Sequence, residues 1–290
     1  MNSSEILERE RSRALPTALA TFAGVAMLIV AIAVGQGGTS GGESESQLLA
    51  DFPDDRGDLL VSAILQAAGI TLLVAPLFYL FQAASARSES MRHALIGVTV
   101  AGPLFLAAAF ILEWVAFDQA ASAFAEPGSG AGVPVGEHAE DLIRDEPTFN
   151  AAQGFSFAGT LGLVVGVVYT SLHAMRVGLL TRFWGTLGMA LGVSLLFLGL
   201  IGVLVFFLAI GLLIAGWWPG DRPPAWEEGE AVPWPAPRER AEAEDADRPA
   251  EPEEFARTVE GSGSEVGSGE PAASAESGAP GSRRKRKRRR

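Results

Sequence analysis

The sequence predicts an all-α fold: a polytopic transmembrane helix bundle of about six spans, followed by a disordered C-terminal tail. Three observations carry this expectation. The 290 residues have a positive mean hydropathy although 19% of them are charged, so the charges must be segregated. Long charge-free blocks do alternate with short charged stretches. After Trp218 the chain turns abruptly to Pro, Gly, Ser, Ala and Glu, with few large apolar residues. Such a stretch buries too little surface to offset its chain entropy.

A helix needs roughly 20 predominantly apolar residues to cross a ~30 Å hydrocarbon core. Residues 1–14 form a short N-terminal segment carrying Arg9, Arg11 and Arg13, and the first span follows at 15–34. Its end contains Ala31-Ile32-Ala33, which resembles a signal-peptide cleavage site. Glu5, Glu8 and Glu10 precede it, however, and the apolar stretch is long, so the span reads as retained. The next spans are 59–83, 94–117 and 151–175. Residues 183–218 then run for 36 positions without a charge. One helix of that length would measure about 54 Å, more than an ordinary tilt absorbs. Two short spans, 183–198 and 203–218, with a turn at Gly199 and Gly202, fit better, because glycine tolerates the backbone angles of a tight turn.

Basic residues set the orientation. Six spans place the N-terminus, the Arg87/Arg92 loop, the Arg176/Arg182 loop and the tail on one side. The other side holds the acidic loops 35–58 and 118–150. Outside the tail, the basic count is seven against two, the two being Arg56 and Arg144. The excess marks the cytoplasmic side. The expectation is a multi-pass plasma-membrane protein with both termini in the cytoplasm.

Ionisable residues inside a bilayer are costly and so are functional candidates. Glu113 is the only acid within a predicted span, near its outer end beside Trp114. It is either an interfacial carboxylate next to an aromatic anchor or a proton- or cation-binding group facing a cavity. Gln66 in the second span and Gln153 in the fourth are the other polar candidates. With Glu113 they would line a path if the protein moved a small solute. Pro76 and Pro103 each remove a backbone donor inside a span and are expected to kink it. His173 can share a helix face with Tyr169 four residues earlier. The three histidines lack metal-ligand spacing, and cysteine is absent, so no metal site or cofactor is expected. The spacings Gly162/Gly166 and Gly188/Gly192 allow close helix approach, either within the bundle or in a homo-oligomer.

The tail, 219–290, ends in Arg283, Arg284, Lys285, Arg286, Lys287, Arg288, Arg289 and Arg290. This run suits anionic lipid at the cytoplasmic leaflet, or pairing with the acidic stretch 239–254. No aromatic residue interleaves it, which argues against nucleic-acid recognition. Twenty arginines against two lysines, with abundant Ala and Gly, suggest a GC-rich bacterial genome.

The exit of the last span reads GWWPGDRPPAWEEGEAVPWP, from Gly216 to Pro235. Together with Gln66–Gly69 and His173–Phe183, it resembles multi-pass membrane proteins of high-GC bacteria that have no assigned activity. The resemblance covers the membrane region and the start of the tail, and it implies topology without site residues. Trp226 and Trp234 suggest that this exit segment either folds back onto the membrane surface or binds a partner. No acid/base pair, metal or activated nucleophile appears within the spans, so the chain reads as non-enzymatic. The leading expectation is a membrane scaffold, sensor or accessory subunit. The alternative is a small-solute transporter or channel with the second and third spans lining the path.

Overall fold

A computed structural model describes residues 2–35, 44–88, 90–128, 130, 132–218 and 222–234. The predicted tail disorder and the basic run Arg283–Arg290 lie outside the described residues. All the regular secondary structure of the described residues is helix, with no strand among them. Its elements are α1 (Ser3–Gly35), α2 (Glu45–Leu72), α3 (Val74–Arg87), α4 (Leu95–Phe124), α5 (Val135–Asp145), α6 (Pro147–Arg176), α7 (Arg182–Leu198), α8 (Leu200–Ala215) and the single turn α9 (Ala225–Glu228). Four helical stretches are long and apolar enough to cross a membrane: α1, α2 with α3, α4 and α6. Large apolar side chains such as Leu15, Leu19, Ile29, Leu104 and Phe157 point outward from them. An apolar exterior of this extent is the mark of a membrane-embedded surface.

These helices outrun the apolar stretches that announce them. α1 begins at Ser3 rather than residue 15, and α2 at Glu45 rather than 59. Hydropathy marks where a helix can meet hydrocarbon, whereas its ends are set by caps. Ser44 begins α2 with a capping box closed by Gln47. The Glu146 carboxylate accepts from the Thr148 N–H and Pro147 opens α6. Residues 45–58 of the expected outer loop 35–58 are therefore helix.

Proline and glycine act at different points than their positions alone suggest. The break between α2 and α3 falls at Leu73. Pro76 has no N–H to offer the Leu72 carbonyl, so the helical ladder fails there. α4, by contrast, passes through Pro103 unbroken. The α7–α8 turn is made by Gly199 alone, at φ +64°. The helix resumes at Leu200, and Gly202 lies inside α8. There it lets the two arms close: a Cβ on Gly202 would sit 3.2 Å from Ser194 Oγ. Gly188 beside Phe206 confirms that the arms run antiparallel. α8 ends at Ala215, capped by left-handed Gly216 and by a hydrogen bond from Trp217 N to Leu212 O of 3.0 Å.

Small residues hold the bundle together from within. A Cβ on Gly102 of α4 would lie 2.5 Å from the carbonyl carbon of Gly162 on α6, so these backbones touch. Gly166 faces Thr99, while Gly185 and Gly192 of α7 face Met175 and Val167 of α6. Both glycine faces are thus occupied inside the chain. The main core runs through all the long helices and α8, centred on Phe81, Leu163, Val167, Phe206 and Phe207. A second, smaller core joins Leu49 and Phe52 of α2 to Ala120 and Ala121 of α4 and Ala139 of α5.

Candidate functional site

The bundle has two chemically different ends. The first, here the basic end, gathers the start of α1, the end of α3, the α6–α7 turn and residues 222–234. Glu10 on α1 is buried and forms an ion pair with Arg87 on α3, their side chains being 10% and 0% exposed. The pair is bidentate, with Arg87 Nη1 on Oε1 and Nη2 2.9 Å from Oε2. Arg87 Nη2 also donates to the Ala225 carbonyl at 3.0 Å. Tyr79 donates its hydroxyl to the Glu10 carbonyl at 3.1 Å.

The Trp226 indole is the keystone of this end. It stacks on Tyr79 with ring centroids 6.0 Å apart and planes 11° apart. The Arg222 guanidinium lies 4.7 Å from the indole ring centre, and that of Arg87 5.9 Å. Burial lowers the Arg222 pKa from its ordinary value, while Glu10 and Glu227 act in the opposite sense. The indole Nε1 donates to the Leu179 carbonyl at 2.9 Å, and Trp234 Nε1 to the Leu180 carbonyl at 2.9 Å. Val232 N adds a bond to the Val177 carbonyl at 3.1 Å. A helix end leaves carbonyls without partners, and here the exit segment supplies donors to the turn that ends α6. Gly178, at φ +81°, leaves the room: a Cβ there would lie 2.0 Å from the Val232 oxygen. Ser3 Oγ, 2.9 Å from Glu230 Oε1, ties the same segment to the first turn of α1. A cleft of about 360 Å³ remains between Leu7, Glu10, Tyr79, Arg222 and Trp226.

None of Glu10, Tyr79, Arg87 and Arg222 stood out in the sequence as a site residue. Glu10 sits among exposed charges, and nothing local distinguishes it from Glu8. Only Trp226 and Trp234 were visible as unusual, and both dock on the chain's own helices, which is neither of the two expectations for them, the membrane surface or a separate partner.

At the acidic end, α1, α2 and α4 enclose a cleft of about 470 Å³. Gln66 and Glu113 both line it, with Phe52, Ser62, Phe110 and Trp114. Gln153 does not: it is exposed on α6, away from this cleft. Gln66 Nε2 donates to Ser62 Oγ at 3.1 Å, and Ser62 Oγ donates to the Ala31 carbonyl at 2.9 Å. At the rim, Arg56 grips Asp118 through Nε at 2.7 Å and Nη2 at 2.8 Å, with its guanidinium 5.9 Å from the Trp114 ring centre.

His173 is buried near the basic end and tilts against Tyr169 with ring centroids 4.4 Å apart. Among the described residues no group of three or more potential metal ligands comes together. Comparison of the chain with protein-family models, with curated proteins and with solved structures finds no match.

Proposed function

We propose that the chain is a multi-pass protein of the plasma membrane, with six membrane-embedded helices and both ends in the cytoplasm. It serves as a non-enzymatic scaffold or sensor whose cytoplasmic arm is positioned by the bundle. One observation carries this: residues 222–234 dock on the same end of the bundle as the first turns of α1, through Trp226, Arg87 and Ser3. Two segments at the same end imply an even number of crossings. Four long helices with the α7–α8 hairpin are consistent with it, and the seven-to-two basic bias supports a cytoplasmic assignment for that end. The docked segment is held at a defined point on this end of the bundle, as the base of a recruiting arm requires.

The transport alternative is supported by Gln66 and Glu113 sharing a cleft, and weakened by Gln153 lying apart from it. Affinity capture of full-length protein from crosslinked membranes tests the scaffold reading. Wild type should enrich a partner that Trp226→Ala loses at least threefold. Capture of no partner by either the arm or the bundle would overturn it.

A further inference from the structure

The acidic-end cleft lies apart from the Glu10–Arg87–Trp226 cluster and rests on a different set of residues. It has apolar and aromatic walls from Phe52, Phe110 and Trp114, and a volume of about 470 Å³, within the range of small-molecule sites. Its polar groups are unequally satisfied. The Glu113 carboxylate has no hydrogen bond or ion pair among the described residues. Arg56, the nearest cation on α2, is already held by Asp118 through two bonds. The Trp114 indole Nε1 is buried and has no acceptor among the described residues. Gln66 spends its amide N–H on Ser62, which leaves its carbonyl oxygen as an acceptor. An unpaired carboxylate beside aromatic faces, in a mostly apolar cleft, is complementary to a positive charge carried on an apolar body.

The surroundings favour the same charge. Asp51, Asp54, Asp55 and Asp58 lie along the outer part of α2, and Glu137, Glu140 and Asp141 on α5. Arg56 and Arg144 are the only cations of the two segments 44–58 and 118–146, and Arg144 pairs with Glu140. A field of one sign around a low-dielectric cleft concentrates cations at its mouth.

We infer that this cleft binds an amphiphilic ammonium, with the cationic nitrogen at Glu113 and the apolar chain along Phe52, Phe110 and Trp114. The inference needs the bundle to be membrane-embedded but does not depend on the arm. The same chemistry is presented by a lipid with an aminoethyl headgroup and by a free long-chain amine, and the experiment separates them.

Full-length protein in neutral maltoside micelles is titrated with phosphatidylethanolamine, phosphatidylglycerol, dodecylammonium and dodecanol, and adducts are counted by native mass spectrometry. One-to-one adducts are expected with phosphatidylethanolamine or dodecylammonium, and none of comparable strength with phosphatidylglycerol or dodecanol. Binding of the lipid alone identifies a lipid site, and binding of dodecylammonium alone a site for free amines. Glu113→Gln should weaken the adduct at least tenfold without changing the melting temperature. Ile32→Trp, which narrows the cleft and keeps the carboxylate, should weaken it as well. Equal binding of dodecanol, or an adduct indifferent to Glu113→Gln, would overturn the proposal.

Discussion

Two arginine–carboxylate pairs sit at opposite ends of this bundle in different surroundings, Arg87 holding its acid through Nη1 and Nη2 and Arg56 through Nε and Nη2. Arg87–Glu10 has side chains 0% and 10% exposed, whereas Arg56–Asp118 has side chains 58% and 23% exposed. Both are bidentate. The buried pair organises Tyr79, Arg222, Trp226 and the exit segment around itself. The exposed one closes the rim of a cleft and competes with water. Burial, rather than hydrogen-bond geometry, decides how much each pair controls.

Removing one partner tests this difference at its largest. Glu10→Ala leaves the Arg87 guanidinium buried without its counter-charge, and should cost about 3–5 kcal/mol. Equilibrium unfolding in mixed micelles measures it, and limited digestion with a glutamate-specific protease should show faster cleavage after Glu228 as the segment loosens. Glu10→Leu with Arg87→Met should recover much of the loss, because a desolvated pair can be replaced by apolar packing. If Glu10→Ala unfolds like wild type, the two ends do not differ as burial implies.

The acidic end holds itself together by a small apolar core instead. Phe52→Ala empties that core at a buried position and should cost about 3 kcal/mol by the same unfolding measurement. Arg56→Ala should be the mildest of the three changes, roughly 0.5 kcal/mol, and raised salt should erase it. A loss from Arg56→Ala as large as that from Glu10→Ala would break the comparison.

Much of the architecture was legible in the sequence for a simple reason. Helix class and the long apolar stretches follow from local composition, since a bilayer demands an unbroken apolar length. The α7–α8 break was legible because 36 apolar residues in one helix exceed the thickness available, and Gly199 is the residue able to turn. Gly202 was misplaced in that turn because spacing does not reveal whether a glycine bends its backbone or admits a neighbour. Helix ends were missed by as much as a full outer segment, as at Glu45, because capping residues lie outside the apolar window. Of the site candidates, Gln66 and Glu113 share a cleft, since α2 and α4 present them to each other near one end. Gln153 is on a face of α6 that does not reach it.

The division follows the range of the forces. Hydropathy and charge order along the chain determined by themselves that it is helical, that four stretches suit a membrane, and that basic and acidic residues gather at opposite ends. Those properties sum over neighbouring residues and need no partner. Only the tertiary structure decided which acid is buried, which arginine answers it, and where the Trp226 segment comes to rest. Glu10 and Arg87 are 77 positions apart, and Arg87 and Ala225 are 138 apart. A buried charge takes its meaning from whatever packing brings against it, and packing at that separation leaves no local signature.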